Sequence, residues 1–209
     1  MRGTLVLGFC PNVNMNKRAA ASCRIPVSLF ILGTLLFLDA GVNAQPSYGV
    51  QLVRGAVTGY SKVDYRYRPT ILQFESFTPI RRNLDFVVQR QLNVVRFEDA
   101  AIRQTAWETG LNLGIVVHRE LGKKLKIYAL GSTGPHYVSN TPRRQADGFI
   151  FSDNFRTGIL IPLSATFAFD LCTGIRHISN AGLKRPNKGV DNVLVGFGVK
   201  YTRRRMAMK

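Results

Sequence analysis

Long apolar runs are absent from this sequence. No stretch of its 209 residues reaches 18 consecutive apolar positions, so no segment has the roughly 20-residue length that a membrane-spanning helix needs. Cysteine is scarce: Cys10, Cys23 and Cys172 are the full complement, too few for a disulfide-stapled scaffold. Acid is in short supply, with 12 Asp and Glu against 29 Lys and Arg and a net charge of +17. Such a chain is drawn to polyanions, either nucleic acid or phosphorylated lipid. Apart from Arg203, Arg204 and Arg205 the basic residues are mostly scattered in ones and twos with no aromatic-interleaved binding motif, which speaks against nucleic acid. Histidine is limited to His118, His136 and His177. The first two have no ligand spacing around them, so neither a metal nor another cofactor is expected. What is present, 45% hydrophobic and 20% charged residues, excludes a disordered polyampholyte and suits one folded domain.

The first 44 residues read as a secretory leader. Lys17, Arg18 and Arg24 precede an apolar stretch from Pro26 to Leu38, about 13 residues, and Val42-Asn43-Ala44 offers small residues for cleavage before Gln45. Met15 begins a complete leader by itself and is an alternative start. Cys10 and Cys23 would leave with the leader. The mature chain from Gln45 to Lys209 then holds one thiol, and its stability has to come from something other than a disulfide. A closed barrel, whose backbone hydrogen bonds leave no free edge, supplies it.

Period-two alternation dominates the mature chain. Leu111, Leu113, Ile115 and Val117 alternate with Asn112, Gly114, Val116 and His118; Val193, Val195, Phe197, Val199 and Tyr201 alternate with Leu194, Gly196, Gly198 and Lys200. Bulky apolar groups take one face and small or polar groups the other, as on a strand with lipid outside. Strands are expected near residues 49–58, 69–78, 84–96, 106–117, 124–134, 153–162, 164–178 and 192–202. Eight strands of about 9 to 11 residues make a small, all-β, antiparallel transmembrane barrel, with a longer external loop from Tyr137 to Gly148. A soluble barrel with an apolar interior has the same alternation. The parity places Cys172 on the inner face, and Glu75, Glu108 and Asp170 read as interior or rim charges.

Chemistry concentrates in the segment from Arg176 to Asp191. His177 and Ser179 are two apart at a strand end and project to one face, with Cβ atoms about 6 to 7 Å apart; Asp191 follows the next turn and can face them. All three share parity with the apolar, lipid-side residues, which puts a polar cluster at a strand end near the membrane boundary, where its cost is lower than at mid-bilayer. A serine, a histidine and a carboxylate in reach of one another suit acyl transfer: Ser179 as nucleophile, His177 as base and Asp191 as its orienting partner. Asn180 and Asn187 are candidate oxyanion supports.

The block His177-Ile178-Ser179-Asn180-Ala181, followed by Pro186-Asn187-Lys188-Gly189, resembles the signature of the lipid A 3-O-deacylase (PagL) family. The resemblance covers the last 60 residues well and Lys124 to Ser139 loosely. It implies an eight-stranded barrel in the outer membrane of a Gram-negative bacterium that hydrolyses the ester-linked 3-hydroxyacyl chain at position 3 of lipid A, with a His, Ser and Glu triad. His177 and Ser179 match the first two members. At the third position this sequence has Asp191, shorter by one methylene. The expected partner is lipid A or lipopolysaccharide, and a homodimer is left open. The alternative function is a non-catalytic structural or interaction barrel that kept the turn motif, and a third is a soluble polyanion-binding module.

Overall fold

Strict alternation of apolar and small or polar residues disfavours helical packing and favours strands with two distinct faces. The computed structural model describes residues 45–57, 65–99, 102–122 and 125–203; the leader expected over residues 1–44 lies outside them. Eight strands follow in order: β1 (Ser47–Val57), β2 (Tyr65–Arg81), β3 (Leu84–Asp99), β4 (Ile102–Leu121), β5 (Leu125–Val138), β6 (Gly148–Pro162), β7 (Phe167–Ser179) and β8 (Val190–Thr202). Each pairs antiparallel with the next, and β1 pairs with β8 to close the barrel.

All eight expected strands are present, most of them longer than expected. β4 gains residues at both ends because Ala106, Trp107 and their neighbours continue the ladder with β3 up to Ile102. The loop expected from Tyr137 to Gly148 is shorter, since β5 runs to Val138 and β6 begins at Gly148.

Burial follows the alternation. On β8, Val193, Val195, Phe197 and Val199 point outward and are exposed, while Asn192 and Leu194 point in and are buried. The outward faces of β1, β3, β4, β6 and β7 also carry exposed apolar residues, including Leu52, Leu92, Leu113, Phe155 and Ile175, with Arg90 on β3 a charged exception that donates to Ser76. A predominantly apolar exterior on a closed barrel identifies a transmembrane barrel, not a soluble one with its apolar side inside.

The interior mixes two kinds of packing. Apolar side chains form one cluster around Val53, Ile71, Leu130 and Leu194 and a second around Tyr67, Val95, Ile150, Ile178 and Val190. Between them run buried polar networks, which include the three acids assigned to interior or rim positions. Arg156 Nη2 donates to Glu75 at 2.6 Å, Tyr128 donates to Asp170 at 2.9 Å, and Glu108 takes Arg176 and His136. Cys172 is buried on the inner face.

The two ends differ. The connections at 82–83, 122–124 and 163–166 are short, and the last is held by Ser164 Oγ, which accepts from Thr166 N and Phe167 N. At the other end the connections at 58–64, 139–147 and 180–189 are longer, and the one at 100–101 is short. Outer-membrane barrels place short turns on the periplasmic side and longer loops outside, so the 180–189 turn is at the external end.

Candidate functional site

β7 and β8 end side by side, and their register sets His177 directly opposite Asp191. Both point outward, where His177 Nδ1 lies 2.7 Å from Asp191 Oδ1. The aspartate therefore reaches the imidazole despite its short side chain, because the strand ladder brings the two Cα atoms together. Both groups are substantially exposed on the barrel exterior, at 43% and 65% of their side chains. An imidazole whose Nδ1 is engaged by a carboxylate keeps Nε2 for a proton from a hydroxyl.

Ser179 lies one dyad further toward the loop end, on the same outward row, and is partly exposed. Its hydroxyl and the His177 imidazole are not hydrogen-bonded to each other in this structure. The position of Gly189 explains which way the ring faces. The last β7–β8 pair is Ile178 with Val190, so one step on the ladder would set Ser179 against Gly189. A Cβ at Gly189 would stand 2.5 Å from His177 Cε1 and 3.0 Å from Nε2. The Cε1–Nε2 edge thus points toward the end of the ladder where Ser179 sits.

The turn that follows is built by the two asparagines. Asn180 is buried at 1% exposure; its Nδ2 donates to Lys184 O at 2.7 Å, and its Oδ1 accepts from Gly182 N at 3.1 Å. Asn187 Oδ1 accepts from Asn180 N at 2.9 Å. Ala181 and Gly182 both take positive φ, 53° and 82°, and these side-chain bonds hold the alanine in a conformation that costs about 1–2 kcal/mol. Both asparagines are thus committed to the turn through at least one side-chain atom, with the amide nitrogen of Asn187 left over.

The 139–147 loop clamps this turn from the side. Gln145 bridges to Asn187, its Oε1 accepts from Gly189 N at 3.1 Å, Ala146 N donates to Pro186 O at 2.7 Å, and Lys184 pairs with Asp147 at 2.8 Å. From inside the barrel, Arg176 Nε donates to Ser152 Oγ at 2.9 Å and Asn192 Nδ2 donates to Tyr67 O at 3.1 Å. Each outward site residue is therefore next in sequence to an inward residue fixed by hydrogen bonds, which gives the exposed pair a rigid base.

Sequence reasoning missed two contributions from β6. Asp153 sits directly across from His177 on the other side, so two carboxylates flank the imidazole; Asp153 Oδ1 accepts instead from Thr133 Oγ1 at 2.5 Å. Phe151 sits directly across from Ser179 and packs edge-on against Phe149 at 5.1 Å. With Tyr137 stacked on Trp107 at 5.4 Å, these rings make an aromatic row beside the serine, as at the interface girdle of membrane barrels. Both share the parity of the outward residues of β6, and the β6–β7 register shows that they adjoin the site. Among the described residues no group of His, Cys, Asp and Glu could hold a metal ion.

Known proteins resemble this architecture. The chain is similar to the crystal structure of Neisserial surface protein A (NspA), at 10% identity and a TM-score of 0.56 over 76% of this chain and 97% of that one. It is similar to the crystal structure of the outer membrane enzyme PagL, at 18% identity and a TM-score of 0.51 over 72% of this chain and 97% of that one. At such identities the likeness is one of fold. No curated protein sequence matches the chain. An eight-stranded barrel with an apolar exterior belongs to the Gram-negative outer membrane, and the structural neighbours agree with that compartment. Residues 61–200 match the family model Lipid A 3-O-deacylase (PagL). That match takes in β2 through most of β8 with the whole His177, Ser179 and Asp191 cluster, and on it this chain belongs to the lipid A 3-O-deacylase (PagL) family.

Proposed function

We propose that this protein is a serine esterase that hydrolyses the ester-linked 3-hydroxyacyl chain at position 3 of lipid A. The observation that carries the reading is the cross-strand pair of His177 and Asp191 at 2.7 Å, on the lipid-facing surface, with Ser179 on the same outward row. Polar groups on that surface are costly, and a substrate whose ester lies at the membrane boundary gives them a use.

In this mechanism Ser179 Oγ attacks the ester carbonyl while His177 Nε2 takes its proton and returns it to the departing sugar alcohol. Water then repeats the sequence on the acyl-enzyme, releasing the 3-hydroxy acid and restoring the serine. Asp191 holds the imidazole with Nδ1 protonated. The Asn187 amide NH2, unused in any hydrogen bond among the described residues, is the candidate side-chain donor to the oxyanion, and Asn180 supports it through the turn. The hydroxyl-to-imidazole bond closes when substrate is bound, as catalytic bonds often do. Phe151 and Phe149 offer apolar contact to the acyl chain beside the serine.

Mass spectrometry of lipid A after incubation with the detergent-refolded protein tests this. The unmodified protein is expected to remove one 3-hydroxyacyl mass and Ser179→Ala to remove none. A second reading, a structural barrel without catalysis, draws on the unbonded Ser179 hydroxyl; no mass loss with either protein would favour it.

A further inference from the structure

On β1 to β3 the outward face is apolar through Leu52, Leu72 and Val94 and then changes character toward the loop end. Beyond these residues stand Arg54 on β1, Arg66 and Arg68 on β2, Arg96 on β3 and Arg103 on β4, around a cleft of about 310 Å³. Glu98 is the one carboxylate lining it, and it is already shared by Arg103 at 2.6 Å and Arg66 at 3.6 Å. Arg68 and Arg96 are paired directly across the β2–β3 ladder. Like charges in that arrangement destabilise a sheet, and among the described residues neither has an acidic partner. Arg54 has none either, and its strand adjoins β8, which carries Asp191.

We propose that this cleft binds the phosphate groups of an anionic lipid headgroup in the surrounding leaflet. An anion between Arg68 and Arg96 turns their repulsion into two attractions, and the guanidinium fork fits phosphate oxygens in pairs. The occupant is a lipid, not free phosphate, because the apolar row of Leu52, Leu72 and Val94 continues from the cleft along the same outward face, where acyl chains attached to the headgroup would lie. The cleft is at the external end, at the transition from apolar belt to loops, which is headgroup depth. The proposal stands whether or not Ser179 is a nucleophile, and its readout is binding.

The chain carries its own probe. Trp107 is its single tryptophan, exposed and outward on β4, two positions from the cleft residue Thr105. The refolded full chain is placed in phosphatidylcholine vesicles containing either brominated phosphatidic acid or brominated phosphatidylcholine, and quenching of Trp107 is followed against mole fraction. Each basic side chain at a lipid surface adds about fivefold to the binding of an anionic lipid. Phosphatidic acid is therefore expected to quench at roughly tenfold or more lower mole fraction. Arg54→Gln/Arg68→Gln/Arg96→Gln brings the two lipids to about equal effect. Arg68→Gln alone, which relieves the opposed charges and so does not weaken the sheet, lowers the preference severalfold. Arg82→Gln/Arg119→Gln, at the other end of the barrel, and millimolar inorganic phosphate both leave it in place. Equal quenching by the two lipids in the unmodified protein overturns the proposal. So does a preference that survives the triple change, one lost with the distal pair, which would mean bulk charge, or one abolished by inorganic phosphate, which would mean a free-anion site.

Discussion

Gly189→Ala tests the site geometry through a residue that does no chemistry. Gly189 has φ +68°, and a Cβ built there stands 2.5 Å from His177 Cε1. Ordinary contact begins at 3.4 Å, so the ring must retreat by about 0.9 Å or the turn must shift. The backbone conformation alone costs an alanine about 1–2 kcal/mol, which a barrel closed by eight ladders tolerates. On the proposed function the larger effect is expected on catalysis, because His177 is held at 2.7 Å by Asp191 and a displaced ring would loosen that bond. A misplacement of about 1 Å at a reacting group lowers rate by about 100-fold. Deacylation followed by mass spectrometry should therefore drop by about that factor, while the heat-dependent gel shift of the folded barrel is retained. A folded Gly189→Ala protein that deacylates within about threefold of the unmodified rate would refute this placement of the imidazole.

Other outcomes follow from the same contacts. Asp191→Asn should lower kcat by about 10³–10⁴-fold by removing the charge that orients His177, whereas Asp191→Glu should stay within about tenfold of the unmodified rate, since the ladder already supplies the reach; initial rates on lipid A compare the two. Asp153→Asn should change kcat by less than about tenfold, because Thr133 and not His177 holds that carboxylate. Glu108→Ala strands the buried Arg176 and should cost about 3–5 kcal/mol of stability in urea unfolding from lipid vesicles; a loss below about 1 kcal/mol would argue against the interior network. Gln145→Ala removes the acceptor for Gly189 N and should cost about 1–3 kcal/mol, with a fall in kcat larger than the fall in substrate affinity.

The alternation of residues determined much of this protein by itself. Side chains on a strand repeat every two positions, so Val193, Val195 and Phe197 had to share a face with Asp191, and Phe169 and Leu171 with His177 and Ser179. That parity sorted the side chains into two faces and put Cys172 opposite the bulky apolar set; only the closed barrel showed that the apolar set is the outer one. Strand ends were less legible, because the ladder of β4 with β3 continues through polar residues with no alternation to mark them. Register was not legible either, since nothing within one strand says which residue it meets on the next. Only the β7–β8 register set Asp191 against His177, where the ladder offsets the missing methylene. The β6–β7 register brought Phe151 and Asp153 beside the site, and the pairings among β1 to β4 gathered arginines from four separate strands into one cleft. In the sequence those arginines are scattered basic residues; pairing across hydrogen-bonded strands places them side by side.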